Sequence, residues 1–107
     1  MSGLADRTCE PCSGDVPALE GPELEELRRQ VPDWDVVEGH HLMRKFRFTS
    51  FREALDFVNR VGEIAEEQGH HPDVAFGWGY AEVTVFTHAI DGLTENDFIL
   101  AAKVDRL

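Results

Sequence analysis

Apolar residues recur along this chain at two different spacings, and the change from one to the other predicts seven secondary-structure elements. Spacings of three and four residues are typical of a helix with one buried face, whereas a spacing of two is typical of a strand. Ser50 and Thr94 each stand three residues before an acid, an arrangement that caps a helix N-terminus. The predicted helices cover residues 22–30, 50–68 and, after the capping residues, 98–104; the predicted strands cover residues 34–37, 42–48, 73–78 and 81–88.

The order of these elements, αββαββα, indicates the fold class. Tight connections within the strand pairs, such as the glycine-containing turn at residues 77–80, favour β-hairpins and therefore an antiparallel sheet. Helices that alternate with such hairpins are expected to cover one face of the sheet. We predict an α+β fold: a four-stranded antiparallel sheet with three helices on one face.

The beginning of the chain lacks either spacing. Residues 1–22 contain three prolines, three glycines and both cysteines, and such a stretch buries too little apolar surface to offset its ordering entropy. We therefore expect residues 1–18 to be a flexible N-terminal tail and residues 19–107 to be a single domain.

The charge balance narrows the classes of partner. The chain has 107 residues, with 21 acids against 10 Lys and Arg, and a net charge of −11 argues against nucleic acid and against anionic membrane surfaces. No stretch reaches the about 18 apolar residues that a membrane span needs. The first ten residues do not resemble a signal peptide, which predicts a cytoplasmic location.

Side chains able to transfer protons are concentrated in the second half of the chain. Glu66 precedes His70 by four residues, so the two share a helix face if the second helix extends that far, and a carboxylate can hold an imidazole tautomer. His88 is predicted at a strand end, where functional sites collect, and Asp97 opens the last helix.

Each of these residues also has a purely structural alternative. Glu66 would then be a solvated acid, and His70 and His71 would simply end the helix. His88 would be a hydrogen-bonded sheet residue and Asp97 only a cap.

Metal binding is the rival interpretation, because three histidines and an acid could ligate zinc or iron. No His-Glu-x-x-His pair occurs, however, and adjacent histidines in extended chain point apart. Cys9 and Cys12 could be half a zinc site or a redox pair, but the helix that a redox pair needs does not follow them. The doublet His40-His41 is predicted in a hairpin turn without a nearby acid, and we assign it no role. We expect no metal.

The spacing of the second-half residues resembles the signature of the pterin-4a-carbinolamine dehydratases. It reads EEQGHHPDVAFGWGYAEVTVFTHAIDGLTEND: Glu66, three residues, His70-His71-Pro72, five residues, Trp78, nine residues, His88, eight residues, Asp97. The segment around Trp34 is also similar to the family. The resemblance covers the chain from about residue 19 to its last residue, and the two cysteines lie outside it.

The resemblance implies a four-stranded antiparallel sheet with helices on one side, in agreement with the element order. It also implies an activity, that of a 4a-hydroxytetrahydrobiopterin dehydratase, a hydro-lyase that converts a 4a-hydroxytetrahydropterin to quinonoid dihydropterin. The substrate would come from an aromatic amino acid hydroxylase, whose tetrahydropterin cofactor is recycled. No metal or organic cofactor is expected.

The resemblance further implies roles for individual residues. His70 and His88 would transfer protons, and an imidazole can act as acid or base near neutral pH. Glu66 would assist catalysis, and both Glu66 and Asp97 would orient or polarise the histidines. His71, Trp34 and Asp97 would form the substrate-binding set, with Trp34 flanking the pocket and stacking on the flat pterin.

Two other functions stay open at the level of sequence. Some members of the family serve as dimerisation partners of a transcription factor, so the alternative is a protein-binding, coactivator-type module that uses a sheet edge or helix surface. A third hypothesis is an acidic partner of molybdopterin or folate enzymes. We also expect a homo-oligomer, either a dimer or a tetramer.

Overall fold

The elements of the fold follow the predicted order. A computed structural model describes residues 3–11, 14 and 16–107. The helices are α1 (Gly21–Gln30), α2 (Phe51–Gln68) and α3 (Glu95–Val104), and the strands are β1 (Asp35–Val37), β2 (His41–Arg47), β3 (Asp73–Gly77) and β4 (Tyr80–Val85). Two short 3₁₀ turns add Leu4–Asp6 and His88–Ile90. The predicted α+β class and element order are confirmed.

The four strands form one antiparallel sheet in the order β1-β2-β4-β3. The pairing of Leu42 with Val85 and of Val74 with Val83 places the apolar alternate residues on a common face. Gly79 completes the β3–β4 turn with a φ of 79°, and a Cβ there would stand 3.2 Å from the carbonyl oxygen of Phe48. A side chain at that position would therefore be strained by both its backbone and its neighbour.

The helices cover the apolar face of the sheet in layers. α2 packs on β3 and β4, α3 packs on β2, β4 and α2, and α1 lies against α3. α3 is consequently buried on nearly all sides, and seven of its ten residues are buried, five of them apolar. None of the helices in the described part of the chain is both long and apolar enough to cross a membrane.

Two helix ends decide where the candidate site residues lie. α2 ends at Gly69, whose φ of 64° gives the left-handed conformation that favours glycine, and the next residue, His70, donates its N–H to the carbonyl of Ala65. α3 begins after Thr94 with the expected capping box, so Asp97 belongs to its first turn.

The second strand of the last hairpin is shorter than predicted. β4 ends at Val85, and His88 lies in a 3₁₀ turn rather than at a strand end. The chain folds back here. The backbone N–H of Thr87 donates to the carbonyl of Gly92, the N–H of Gly92 donates to the carbonyl of Thr87, and Asp91 takes a left-handed φ of 51°. Alternation alone did not reveal this, because Phe86 and His88 keep the apparent period of a strand.

The beginning of the chain is expected to bury too little apolar surface to offset its ordering entropy, yet part of residues 3–11, which we call the N-terminal segment, packs on the core. Leu4 and Cys9 belong to the hydrophobic core, with 5% and 8% of their surface exposed. Lys103 of α3 donates to the carbonyl of Ala5 at 2.8 Å, and Gln68 accepts from the Cys9 N–H at 2.9 Å. The physical reason is the apolar outer side of α3, which needs a cover. Flexibility of residues 1–18 in solution stays a prediction, and Cys12 lies outside the described residues.

The buried thiol of Cys9 predicts a specific pH dependence of stability. Burial raises the pKa of Cys9 from 9.0 to about 11, because the charged thiolate is poorly solvated there. A raised pKa means that the folded state holds the proton longer than the unfolded state. The contribution to stability is therefore complete below about pH 9 and is lost as the pH rises towards 11.

We expect the free energy of unfolding of the wild type, relative to Cys9→Ala, to fall by about 1–2 kcal/mol between about pH 8 and about pH 10.5. Urea titrations of both proteins at the two pH values measure this difference. Parallel pH dependences in the two proteins would contradict the buried position of the thiol.

Candidate active site

Three histidines of the second half meet at one small cavity beside the start of α3. The cavity has a volume of about 220 Å³ and is lined by Glu10, Gly69, His70, His71, Thr87, His88 and Ala89. A larger cavity of about 460 Å³ lies between the N-terminal segment and α3, but none of its lining residues is a histidine. We call the histidine-lined cavity the histidine pocket, because it brings together three imidazoles from separate parts of the chain.

The buried carboxylate of Asp97 holds the imidazole of His70. Its Nε2 lies 2.5 Å from Oδ1 of Asp97, and the two residues are 8% and 0% exposed. With Asp97 as the acceptor, Nε2 carries the imidazole proton and Nδ1 is left as the basic nitrogen. The pair thus fixes both the ring and its tautomer.

Asp97 is itself held by a network that leaves it no freedom to turn. Its Oδ2 accepts the Thr94 N–H at 2.8 Å and the Thr87 hydroxyl at 2.9 Å. Because Thr87 has only one hydroxyl proton, the Thr94 hydroxyl donates to Thr87 across the 2.8 Å between the two oxygens. Asp97 is therefore a helix cap and a histidine partner at once, so the two alternatives posed by the sequence are both realised.

Glu66 has a different partner from the predicted one. Its Oε2 lies 2.5 Å from Nε2 of His71, not from His70, and both side chains are exposed. The left-handed Gly69 is the cause, because it turns His70 towards α3 and leaves His71 within reach of the last turn of α2. The pairing of Glu66 with His70 by four-residue spacing was wrong.

His88 also lines the histidine pocket. It is exposed, and its ring lies against Phe86 with the centroids 4.1 Å apart. Phe86 contacts His40 as well, whose ring is 4.7 Å from Phe86 and whose Nε2 is 2.7 Å from Oδ1 of Asp91. The statement that His40 has no nearby acid is thus corrected, since folding brings Asp91 from 51 residues away.

Trp34 is not brought to the histidine pocket. The side chain is 3% exposed and its indole N–H donates to Oδ1 of Asp105 at 2.9 Å, beside Arg44. Asp105 and Asp97 are eight residues apart, about 12 Å along the axis of α3. Trp34 is a core residue at the opposite end of this helix, so its expected stacking on a substrate is not supported by its position. Trp78 is 72% exposed at the β3–β4 turn and does not line the pocket either.

Three further residues of the site were missed. Thr87 offered no signal, because it lies inside a predicted strand, and the hydroxyl of Thr94 was noted only as a cap. Glu10 was assigned to the tail. Within the described residues, no group of three or more His, Cys, Asp or Glu side chains is arranged to hold a metal ion.

Comparisons with known proteins identify the family. An α+β domain with a histidine pocket, in which two of the three imidazoles are paired with carboxylates, has the groups that acid–base chemistry requires. The family model described as pterin 4 alpha carbinolamine dehydratase matches residues 17–107. The chain belongs to this family, as its signature predicted.

Relatives and solved structures agree with that assignment. Proteins that carry the provisional name pterin-4-alpha-carbinolamine dehydratase are 71% identical in Rubrobacter xylanophilus, over 100% of both chains, and 51% identical in Halorhodospira halophila, over 97% and 96%. A Brucella melitensis structure named transcriptional coactivator/pterin dehydratase has a TM-score of 0.78 and 31% identity, covering 84% of this chain and 97% of the other. A pterin dehydratase-like protein, named as a RuBisCO assembly factor in the alpha-carboxysome, has a TM-score of 0.56 and 26% identity over 68% and 83%.

Proposed function

We propose that this protein dehydrates a 4a-hydroxytetrahydropterin to quinonoid dihydropterin and so recycles the tetrahydropterin cofactor of an aromatic amino acid hydroxylase. One observation carries the proposal: three imidazoles line the histidine pocket, and two of them are paired with carboxylates at 2.5 Å. Membership of the pterin-4a-carbinolamine dehydratase family supports the choice of a pterin as substrate.

The reaction needs one proton delivered and one removed. The bond from C4a to its hydroxyl oxygen breaks while the lone pair of N5 forms a C4a–N5 double bond. An acid protonates the departing hydroxyl, which leaves as water, and a base removes the proton from N5. Positioned acid–base groups accelerate such steps by roughly 10²–10⁴-fold.

We assign the two proton transfers to His70 and His88. His70 suits the role because Asp97 holds its Nε2 and leaves Nδ1 free for the substrate. His88 lines the same pocket and is open to solvent, with which it can exchange protons. Two separate imidazoles in one pocket provide one group for the oxygen and one for the nitrogen.

The remaining assignments follow from the observed pairs. His71 would contact the pterin, and Glu66 would orient His71 rather than a proton-transfer group, since the two share a hydrogen bond. Asp97 would act by holding His70, because it is fully buried and is itself cut off from the pocket. Trp34 has no role in this proposal.

A second candidate function is a protein-binding module of the same fold. The names of the Brucella melitensis structure and of the RuBisCO assembly factor associate this fold with coactivator and assembly roles. Such a role requires an exposed surface but not paired imidazoles, so the two functions predict different consequences for variants of the histidine pocket. A cytoplasmic location and assembly into a dimer or tetramer stay predictions from the sequence.

The test is to add the purified chain to a phenylalanine hydroxylase reaction and to follow the transient absorbance of the carbinolamine. We expect the transient absorbance to decrease in proportion to the amount of added protein. The decrease should be the same when metals have been exhaustively removed from the purified chain by chelation before it is added. An unchanged transient would overturn the proposed dehydratase, and activity that requires one added metal would overturn the assignment to imidazoles alone.

A further inference from the structure

We propose that the N-terminal segment forms one wall of the substrate site, and that its Glu10 binds the amino-pyrimidine edge of the pterin. The inference rests on the proposed function, because it names how the same pocket recognises that substrate. It concerns a part of the chain that lies before residue 17, where the match to the family model begins.

The first observation is the position of Glu10. It lines the histidine pocket together with His70, His71 and His88. Among the described residues, Glu10 is the only acid that lines this pocket, since Asp97 is buried behind His70 and Glu66 is paired with His71 outside the lining set. Glu10 also lines the larger cavity between the N-terminal segment and α3. A ligand in the histidine pocket is therefore bordered by three histidines and one acidic residue.

The second observation is that the backbone of Glu10 is fixed in place. Asn96 accepts the Glu10 N–H through Oδ1 at 2.9 Å and donates from Nδ2 to the Glu10 carbonyl at 2.6 Å. Asn96 is only 8% exposed and directly precedes Asp97. The first turn of α3 thus holds the imidazole of His70 through Asp97 and the backbone of Glu10 through Asn96, which fixes the Glu10 backbone relative to that imidazole.

The anchoring of the neighbouring residue supports the same conclusion. Cys9 is 8% exposed and donates its N–H to Gln68 at 2.9 Å, in the last turn of α2. The segment is therefore attached to both helices that border the histidine pocket. The relative from Rubrobacter xylanophilus aligns over 100% of both chains, so it possesses this segment as well.

The chemistry of a pterin matches a carboxylate at that place. Its pyrimidine ring presents N3–H and the 2-amino group side by side, both as donors. A carboxylate can accept both at once, and such charge-assisted, two-point hydrogen bonds are stronger than neutral ones. Imidazoles suit the opposite, reacting side of the bicyclic ring, where a proton is moved.

Binding of two stable ligands separates recognition from catalysis. The ligands are 7,8-dihydropterin and the 2-oxo analogue 7,8-dihydrolumazine, which replaces the amino donor with a carbonyl acceptor. The variant Glu10→Gln keeps the size but presents an amide, which matches the oxo edge better than the amino edge. The control Glu63→Gln makes the same charge change on an exposed residue of α2 outside the pocket.

We expect Glu10→Gln to raise the dissociation constant for 7,8-dihydropterin about tenfold and to lose the preference for it over 7,8-dihydrolumazine. In the dehydratase assay the KM should rise by a similar factor, with kcat within about threefold of wild type. Glu63→Gln should match the wild type in each measurement, and melting curves should show that both variants remain folded.

The outcomes distinguish this inference from the proposed function. Wild-type preference and wild-type KM in Glu10→Gln, in a chain that dehydrates the carbinolamine, would overturn the role of Glu10 and leave the dehydratase intact. A wild-type chain that neither binds 7,8-dihydropterin nor turns over the carbinolamine would overturn the proposed function, and this inference with it.

Discussion

Replacement of His88 by alanine is expected to lower the kcat for carbinolamine dehydration by at least about tenfold while the melting temperature stays within about 2 °C of wild type. The rate falls because one of the two proton transfers loses its positioned group. The stability hardly changes because His88 is exposed in a short turn. His70→Ala should lower kcat at least as much, but with a loss of stability, since it leaves the buried carboxylate of Asp97 without its partner.

Two further variants make this prediction specific. His71→Ala should mainly raise the KM, because His71 is assigned to pterin binding. His41→Ala removes a histidine that does not line the histidine pocket and should keep the wild-type rate. Wild-type kcat in both His70→Ala and His88→Ala would refute the assignment of the proton-transfer groups.

The second large effect is expected from Asp97→Asn, in which a buried acceptor becomes a mixed donor and acceptor. If the new amide nitrogen faces the Thr94 N–H, two donors oppose each other in a buried site, at a cost of about 1–3 kcal/mol. If it faces Nε2 of His70 instead, the imidazole must change tautomer to accept from it, which moves the proton to the nitrogen that serves the substrate. Either orientation harms the site.

We expect Asp97→Asn to lose at least about tenfold in kcat, together with a fall in melting temperature of about 4–8 °C per kcal/mol of lost stability. The matched control is Glu66→Gln, the same chemical change at the exposed pair with His71, where solvent can replace the lost partner. Its kcat should fall by less than about threefold. A normal kcat in a destabilised Asp97→Asn would show that this residue is only a helix cap.

Local sequence patterns were sufficient to predict the helices and strands, because helix capping and tight turns depend on only a few neighbouring residues. Ser50 caps the N-terminus of α2 and predicts its start to within one residue, and Gly69 correctly predicts its end. The antiparallel pairing within each hairpin followed from tight turns, one of which has Gly79 in a left-handed conformation. These features depend on neighbours in sequence and can be recognised without the fold.

The pairing of the site residues depends on tertiary structure and could not be predicted in the same way. Asp97 reaches His70 across 27 residues, and the assignment of Glu66 to His70 failed because one left-handed glycine changes which histidine faces the helix. Trp34 was expected near a ligand, but burial against Asp105 at the far end of α3 accounts for its position. Spacing brought His70, His71 and His88 forward as candidates, but it left their hydrogen-bond partners undetermined.

The N-terminal segment shows a related limit. Its sequence has no period, yet Leu4 and Cys9 are buried because α3 is apolar on the side that faces away from the sheet. The unusually apolar composition of residues 98–104 was the only available signal that a cover was needed. Glu10 follows from this packing and not from any motif.

The most direct test of the central claim, that the imidazoles of the histidine pocket dehydrate a carbinolamine, is the decay of that compound in a stopped-flow spectrometer. A 4a-hydroxytetrahydropterin is generated and mixed with the wild-type chain or with a variant carrying both His70→Ala and His88→Ala. The account predicts a first-order decay whose rate constant rises linearly with wild-type concentration, and less than about a tenth of that rise with the double variant. A decay that is the same with and without the wild-type chain would contradict it.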